Sequence, residues 1–141
     1  MATEILVNDG GAPARIIPVE AAEAIVAGDA VAFFNVASSD AKVKKCDSGE
    51  ATHNIFAGVA LTDAALGAKC NIVTGRGVVC RVKCADVAGG VALMPSTTDG
   101  ELATWAGHAT NVIAGNIVAI AMEDGALGGG GAGLIKCLLV G

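Results

Sequence analysis

Five cysteines (Cys46, Cys70, Cys80, Cys84 and Cys137) and two histidines (His53 and His108) are the side chains in this 141-residue chain best suited to covalent or metal chemistry. Cys80 and Cys84 are the closest thiol pair in sequence. The run Gly77-Val78-Val79-Cys80-Arg81-Val82-Lys83-Cys84 alternates as a strand does. That places both thiols on one face about 13 Å apart at ~3.3 Å per residue, too far to share one zinc ion. A tetrahedral site would need a turn between them, and the alternation denies one. A Cys–His nucleophile fares no better, because His53 (Ala51-Thr52-His53-Asn54) and His108 (Gly107-His108-Ala109-Thr110) both read as exposed loop residues. An odd number of cysteines at irregular spacing argues against a disulfide framework. All five therefore read as reduced thiols packed as small hydrophobes.

Two further patterns invite a chemical reading and do not sustain it. The run Gly128-Gly129-Gly130-Gly131-Ala132-Gly133 suggests a phosphate loop, but such a loop ends in Lys then Ser/Thr and feeds a helix. Here Leu134-Ile135-Lys136-Cys137-Leu138 continues as strand, so the glycines read as a hairpin tip. Asp63, Glu123 and Asp124 could be paired carboxylates for acid–base work, yet they fall in equivalent hairpin turns, where acidic residues serve turn geometry. The sequence thus predicts no catalytic residue, no cofactor, no metal site and no enzymatic activity.

Those acidic turns belong to the most informative pattern in the chain, an internal echo. Val59-Ala60-Leu61-Thr62-Asp63-Ala64-Ala65-Leu66-Gly67, closing at Ile72-Val73-Thr74-Gly75, recurs as Ile120-Ala121-Met122-Glu123-Asp124-Gly125-Ala126-Leu127-Gly128, closing at Leu138-Leu139-Val140-Gly141. Each copy reads as an apolar strand, an acidic turn, an Ala-Leu-Gly bend and a second apolar strand. A hairpin used twice around one core predicts a small, self-closing β-structure.

The rest of the chain fits that frame. Ile5-Leu6-Val7, set off by Asn8-Asp9-Gly10-Gly11-Ala12-Pro13, reads as an edge strand or an arm, so residues 1–14 form a first region and residues 15–141 a β-barrel domain. Residues 15–19 read as a strand that Pro18 confines to an edge or an end. Residues 20–27 have helix-forming composition and stop at Gly28, giving either one short helix or an extended approach to the next strand. From Gly28 onward, short apolar runs alternate with turn clusters. About ten short strands result, the pattern of a sandwich or barrel.

Composition sets the remaining bounds. The length fits one domain. Hydrophobic residues make up 53% of the chain but aromatics only 3%, with Trp105 the sole tryptophan, so the core must be built from Val, Ile, Leu and Ala. Small side chains bury little area each, which makes oligomerisation a natural source of added stability. Net charge is −5, and no basic cluster is denser than Lys42, Lys44 and Lys45, which argues against nucleic acid. The N-terminus lacks the build of a secretory signal. The longest apolar stretch, residues 112–122, is broken by Gly115 and Asn116 and is shorter than the roughly 20 residues a membrane helix needs. A soluble protein made in the cytoplasm is expected.

Four segments carry a family resemblance: Gly28-Asp29-Ala30-Val31; Phe56-Ala57-Gly58-Val59-Ala60-Leu61-Thr62-Asp63-Ala64; Gly75-Arg76-Gly77-Val78-Val79; and Gly115-Asn116-Ile117-Val118-Ala119-Ile120-Ala121-Met122-Glu123-Asp124. In this order they resemble tailed-phage capsid decoration (cement) proteins and, more loosely, the lambda-type head decoration protein. The resemblance covers residues 28–141. It implies a β-tulip or β-barrel domain that sits as a homotrimer on the outer surface of a phage head and bridges major capsid protein subunits. It also implies an N-terminal arm reaching onto the capsid, with Ile5, Leu6 and Val7 as the capsid-binding residues. The alternatives are a small β-barrel enzyme or ligand-binding module, and a fibre or surface-layer module.

Overall fold

The computed structural model describes residues 4–7, 13–34, 41–50, 52–53, 55–85, 87–105, 117–125 and 133–140. Among them the chain is all β, with ten strands and no helix: β1 (Arg15–Glu20), β2 (Ala30–Phe34), β3 (Lys42–Lys45), β4 (Phe56–Ala60), β5 (Lys69–Thr74), β6 (Val79–Cys84), β7 (Ala92–Pro95), β8 (Leu102–Thr104), β9 (Ala119–Ala121) and β10 (Gly133–Leu139). Residues 21–28 take the extended option. They are held by isolated bridges at Ala21 and Ile25, so tertiary pairing overrides their helical propensity.

The strands form two sheets. One runs β1-β5-β4-β2-β3, and the other closes into a barrel, β10-β6-β8-β7-β9. The second order is the first with five added to every strand number: β6 meets β10 as β1 meets β5, and β7 lies between β9 and β8 as β2 lies between β4 and β3. The gap between β1 and β3 is spanned by the parallel bridge Ala21↔Val43, the counterpart of the parallel pair Cys84↔Leu102 that joins β6 to β8.

The correspondence extends to single hydrogen bonds. Cys46 N–H donates to Ala30 C=O at 2.8 Å, and Trp105 N–H to Ala92 C=O at 2.8 Å. Ala22 N–H donates to Val43 C=O at 2.8 Å, and Ala85 N–H to Leu102 C=O at 2.9 Å. Gly28 and Gly90, each with positive φ (94° and 86°), donate to Ala60 and Ala121 at 2.8 and 2.7 Å. Positive φ at the same point of both units explains glycine there. The molecule is therefore two copies of one five-stranded unit, and the echoed hairpins, β4–β5 and β9–β10, are the closing third of each.

Register refines the echo. Ala60 pairs with Ile72 and Ala121 with Cys137, so Ile72 corresponds to Cys137 rather than to Leu138, one residue earlier than the sequence match suggests. A one-residue step reverses which face a side chain occupies; Cys137, fully buried, takes the inward place of Ile72.

Packing follows the same duplication. Val19, Ala21, Val31, Val43, Cys70 and Ile72 belong to one apolar cluster. Their counterparts Val82, Cys84, Leu93, Leu102, Ile135 and Cys137 belong to a second. The second cluster also takes in Ala30, Ala32, Val59 and Val73 from the other side of the first sheet, joining the two units. Within the first sheet, a Cβ at Gly58 of β4 would lie 2.6 Å from the Val73 carbonyl oxygen of the neighbouring β5, so glycine is required where these strands lie close.

Candidate functional site

The N-terminal segment lies along the edge of β6. Leu6 bridges Cys80 in antiparallel sense, Val7 N–H donates to Val79 C=O at 3.1 Å, and Arg81 N–H donates to Ile5 C=O at 2.7 Å. The Arg81 guanidinium adds a bond from Nη1 to Glu4 C=O at 2.8 Å. Ile5 is only 4% exposed and packs in the core, while Leu6 and Val7 are half-buried. Of Val79, Arg81 and Lys83, which alternation turns away from the thiol-bearing face of β6, Arg81 and Lys83 are half-buried. Val79 is buried, and Lys83 N–H is held by Gly28 C=O at 2.8 Å.

In the first unit the equivalent edge has no paired strand among the described residues. By register, Ile16 and Ile17 of β1 correspond to Val79 and Cys80, yet they are 54% and 39% exposed against 5% and 0%. Among the described residues no strand pairs with that stretch of β1 on the side away from β5. Pro18 stands where Arg81 stands in the second unit and has no N–H to offer the bond that Arg81 gives Ile5. A proline at this point blocks the pairing the other unit uses, a device by which edge strands avoid unwanted partners.

The acidic turns do structural work. Asp63 Oδ1 accepts from Ala27 N–H at 2.8 Å, Asp124 Oδ1 from Gly89 N–H at 2.8 Å, and Glu123 Oε1 from Lys136 N–H at 2.9 Å. Each carboxylate pins a hairpin turn to neighbouring backbone. Asp29 is nearly buried and accepts from Val26 N–H at 2.9 Å through Oδ2. Burial raises its carboxyl above the ordinary range, against the lowering effect of the Val26 bond and of Lys83 and Lys45.

All five cysteines are free thiols and buried. Cys84 Sγ lies 3.9 Å from Cys137 Sγ, and Cys137 also donates to Ile135 C=O at 3.4 Å. Desolvation pushes Cys46 and Cys80 up to about 12. Cys84 is raised by its hydrogen bond with Cys137 and by burial. Thiols in this state are poor nucleophiles and poor metal ligands.

One polar cluster is not legible from sequence spacing. Asp47, His53 and Asp99 come from two connections far apart in sequence, and their ligand atoms all lie within 4.8 Å of one another. Asp47 and His53 belong to the connection between β3 and β4, and Asp99 to the turn between β7 and β8 of the other unit. Ser48 N–H to Ser96 C=O at 2.9 Å, Gly100 N–H to Cys46 C=O at 3.0 Å and Asp47 N–H to His53 C=O at 3.0 Å lock the stretches together. The Asp99 carboxyl is raised first by a hydrogen bond with Asp47, then by desolvation and by the Asp47 and Glu23 charges, while His53 pulls it down. His108 and residues 128–132 of the glycine run lie outside the described residues; Gly133 opens β10.

No protein-family model matches this chain, and a search of curated proteins finds no match. Among solved structures, the head fibre gp8.5 N base of bacteriophage phi29 is similar, with a TM-score of 0.64 at 14% sequence identity, over 90% of this chain and 94% of that one. The likeness shows a shared fold along nearly the whole length of both chains.

Proposed function

We propose that this protein is a structural component of a tailed-phage head: a capsid decoration protein that binds the outer surface as a homotrimer, bridges major capsid protein subunits and performs no catalysis. The observation that carries the reading is the fold shared with a phage head fibre base across 90% of the chain. The decoration-protein grammar of its strand and turn segments supports it independently. Three-fold presentation suits the task, because three weak contacts made together hold as one strong contact. The β1 flank with exposed Ile16 and Ile17 is the natural place for subunits to meet, and the half-buried Leu6 and Val7 remain candidates for capsid contact. Co-sedimentation with undecorated, expanded capsids of the phage that encodes it tests the reading: saturable binding supports it, and failure to bind removes it.

The similarity to a fibre base favours a second reading, in which the domain anchors a projecting fibre to the head. Electron microscopy of virions labelled through this chain separates the two, since decoration shows compact knobs and anchoring shows fibres rising from the labelled points.

A further inference from the structure

We propose that Asp47, His53 and Asp99 form a binding site for a divalent transition cation of the zinc class, tying the first five-stranded unit to the second. The proposal stands on geometry and donor type. Two carboxylates and one imidazole, with ligand atoms within 4.8 Å of one another, are close to the arrangement a single ion requires. Zinc bonds of ~2.0–2.2 Å to oxygen and nitrogen place neighbouring ligand atoms roughly 3–3.5 Å apart, so small side-chain rotations close the site. The imidazole separates this group from a plain acidic patch and decides the metal: calcium and magnesium take oxygen donors, whereas mixed nitrogen and oxygen donors suit zinc and its neighbours.

The surroundings hold these side chains in place. His53 Nδ1 lies 2.9 Å from Thr52 Oγ1, the kind of outer contact that orients a ligating histidine. Its ring meets Phe34 edge-on at 6.0 Å between centroids and 69°, and Lys44 Nζ caps Phe34 at 4.4 Å. Asp47 Oδ1 accepts from Gly49 N–H at 2.8 Å, which fixes its carboxylate, and the contact between the Asp47 and Asp99 carboxyls already brings both acidic groups to one point. Asp99 is exposed, so an ion has a path in. Because Asp47 and His53 precede β4 while Asp99 precedes β8, an ion here would bridge residues some fifty positions apart, from both units.

The site predicts behaviour that the capsid reading does not require, so each can fail alone. The full chain, stripped with EDTA and kept reduced, would be titrated with zinc chloride by calorimetry and by thermal melting. One zinc ion per chain and a raised Tm are expected, with no effect of calcium or magnesium at equal concentration. His53→Ala and Asp99→Asn should each abolish both effects, while Asp63→Asn, in a hairpin turn of the first unit, should keep them. Asp99 lies in an exposed turn, so Asp99→Asn tests the site even if His53→Ala disturbs its loop. Absence of zinc binding by the unaltered chain, or binding that survives both substitutions, would overturn the proposal.

Discussion

Asp63 and Asp124 hold the same place in the two halves of the molecule: each carboxylate accepts a backbone N–H at 2.8 Å, from Ala27 in one case and Gly89 in the other. Backbone bonds beside them repeat as well, with Ala64 N–H donating to Ile25 C=O at 2.9 Å and Gly125 N–H to Val87 C=O at 2.8 Å. Asp63→Ala and Asp124→Ala should each lower stability by about 1 kcal/mol, the usual value of one such bond near the surface. Asp→Asn at either position keeps an acceptor and should cost less. Urea unfolding of the four variants checks this. Equal losses for Ala and Asn would show that the carboxylates contribute charge rather than a hydrogen bond.

The echo from which this correspondence follows was legible because Asp63 and Asp124 sit in turns, where geometry restricts the residue type. The rest of the duplication was hidden. Val19 matches Val82, but Ala21 matches Cys84 and Ile72 matches Cys137, since an interior position requires only an apolar side chain of suitable volume. Strand content, the edge position of Pro18 and the burial of the thiols could all be read from alternation and turn chemistry. The Asp47–His53–Asp99 cluster could not. Asp47 and His53 share one connection, but the approach of Asp99 depends on how the two units pack, and no spacing encodes that. The burial of Val79 was equally out of reach, because it depends on the N-terminal segment lying along β6.

The N-terminal segment separates into two roles that single substitutions distinguish better than deletion does. Ile5 packs in the core, so Ile5→Ala should destabilise by about 2–5 kcal/mol. Leu6→Ala and Val7→Ala, at half-buried positions, should cost about 1 kcal/mol each. If the segment also touches the capsid, the double variant at Leu6 and Val7 should remain folded and bind capsids several-fold more weakly. Thermal melts together with co-sedimentation give both readouts. Full capsid binding by that double variant would move the contact surface elsewhere.

Ile16 and Ile17 expose apolar surface that their counterparts in the second unit bury. Lysine at both positions should leave the strand signal in circular dichroism intact and, if the proposed homotrimer forms through this flank, convert it to monomer in light scattering. Pro18→Val restores an N–H at the edge and should leave the proposed trimer unchanged if the Ile16 and Ile17 side chains, rather than strand pairing, make its contacts. A trimer that survives both lysines would place the interface on another face.

All five thiols are buried, and desolvation raises Cys46 and Cys80 to about 12. A disulfide-exchange reagent at neutral pH should therefore label none of the five cysteines in the folded chain and all five in denaturant. Rapid labelling of any one under native conditions would show that its part of the barrel opens readily.

Asp29 should shape the pH dependence of stability. Burial raises its folded-state pKa above the ordinary aspartate value, while the Val26 N–H and the Lys83 and Lys45 charges offset part of that rise and Glu23 adds to it. For a carboxyl raised on folding, the unfolded state gives up the proton more readily. The associated stability is then fully present below the unfolded pKa and is lost as pH rises through the folded pKa. Asp29→Asn keeps an oxygen for the Val26 N–H and removes the titration. The unaltered chain should therefore gain on the Asn variant as pH falls from neutral through the folded-state pKa, with the difference levelling off below the ordinary aspartate range. Denaturant unfolding of both proteins across that interval measures the difference directly, and parallel stability curves would show that Asp29 is not paying a burial cost in its charged form.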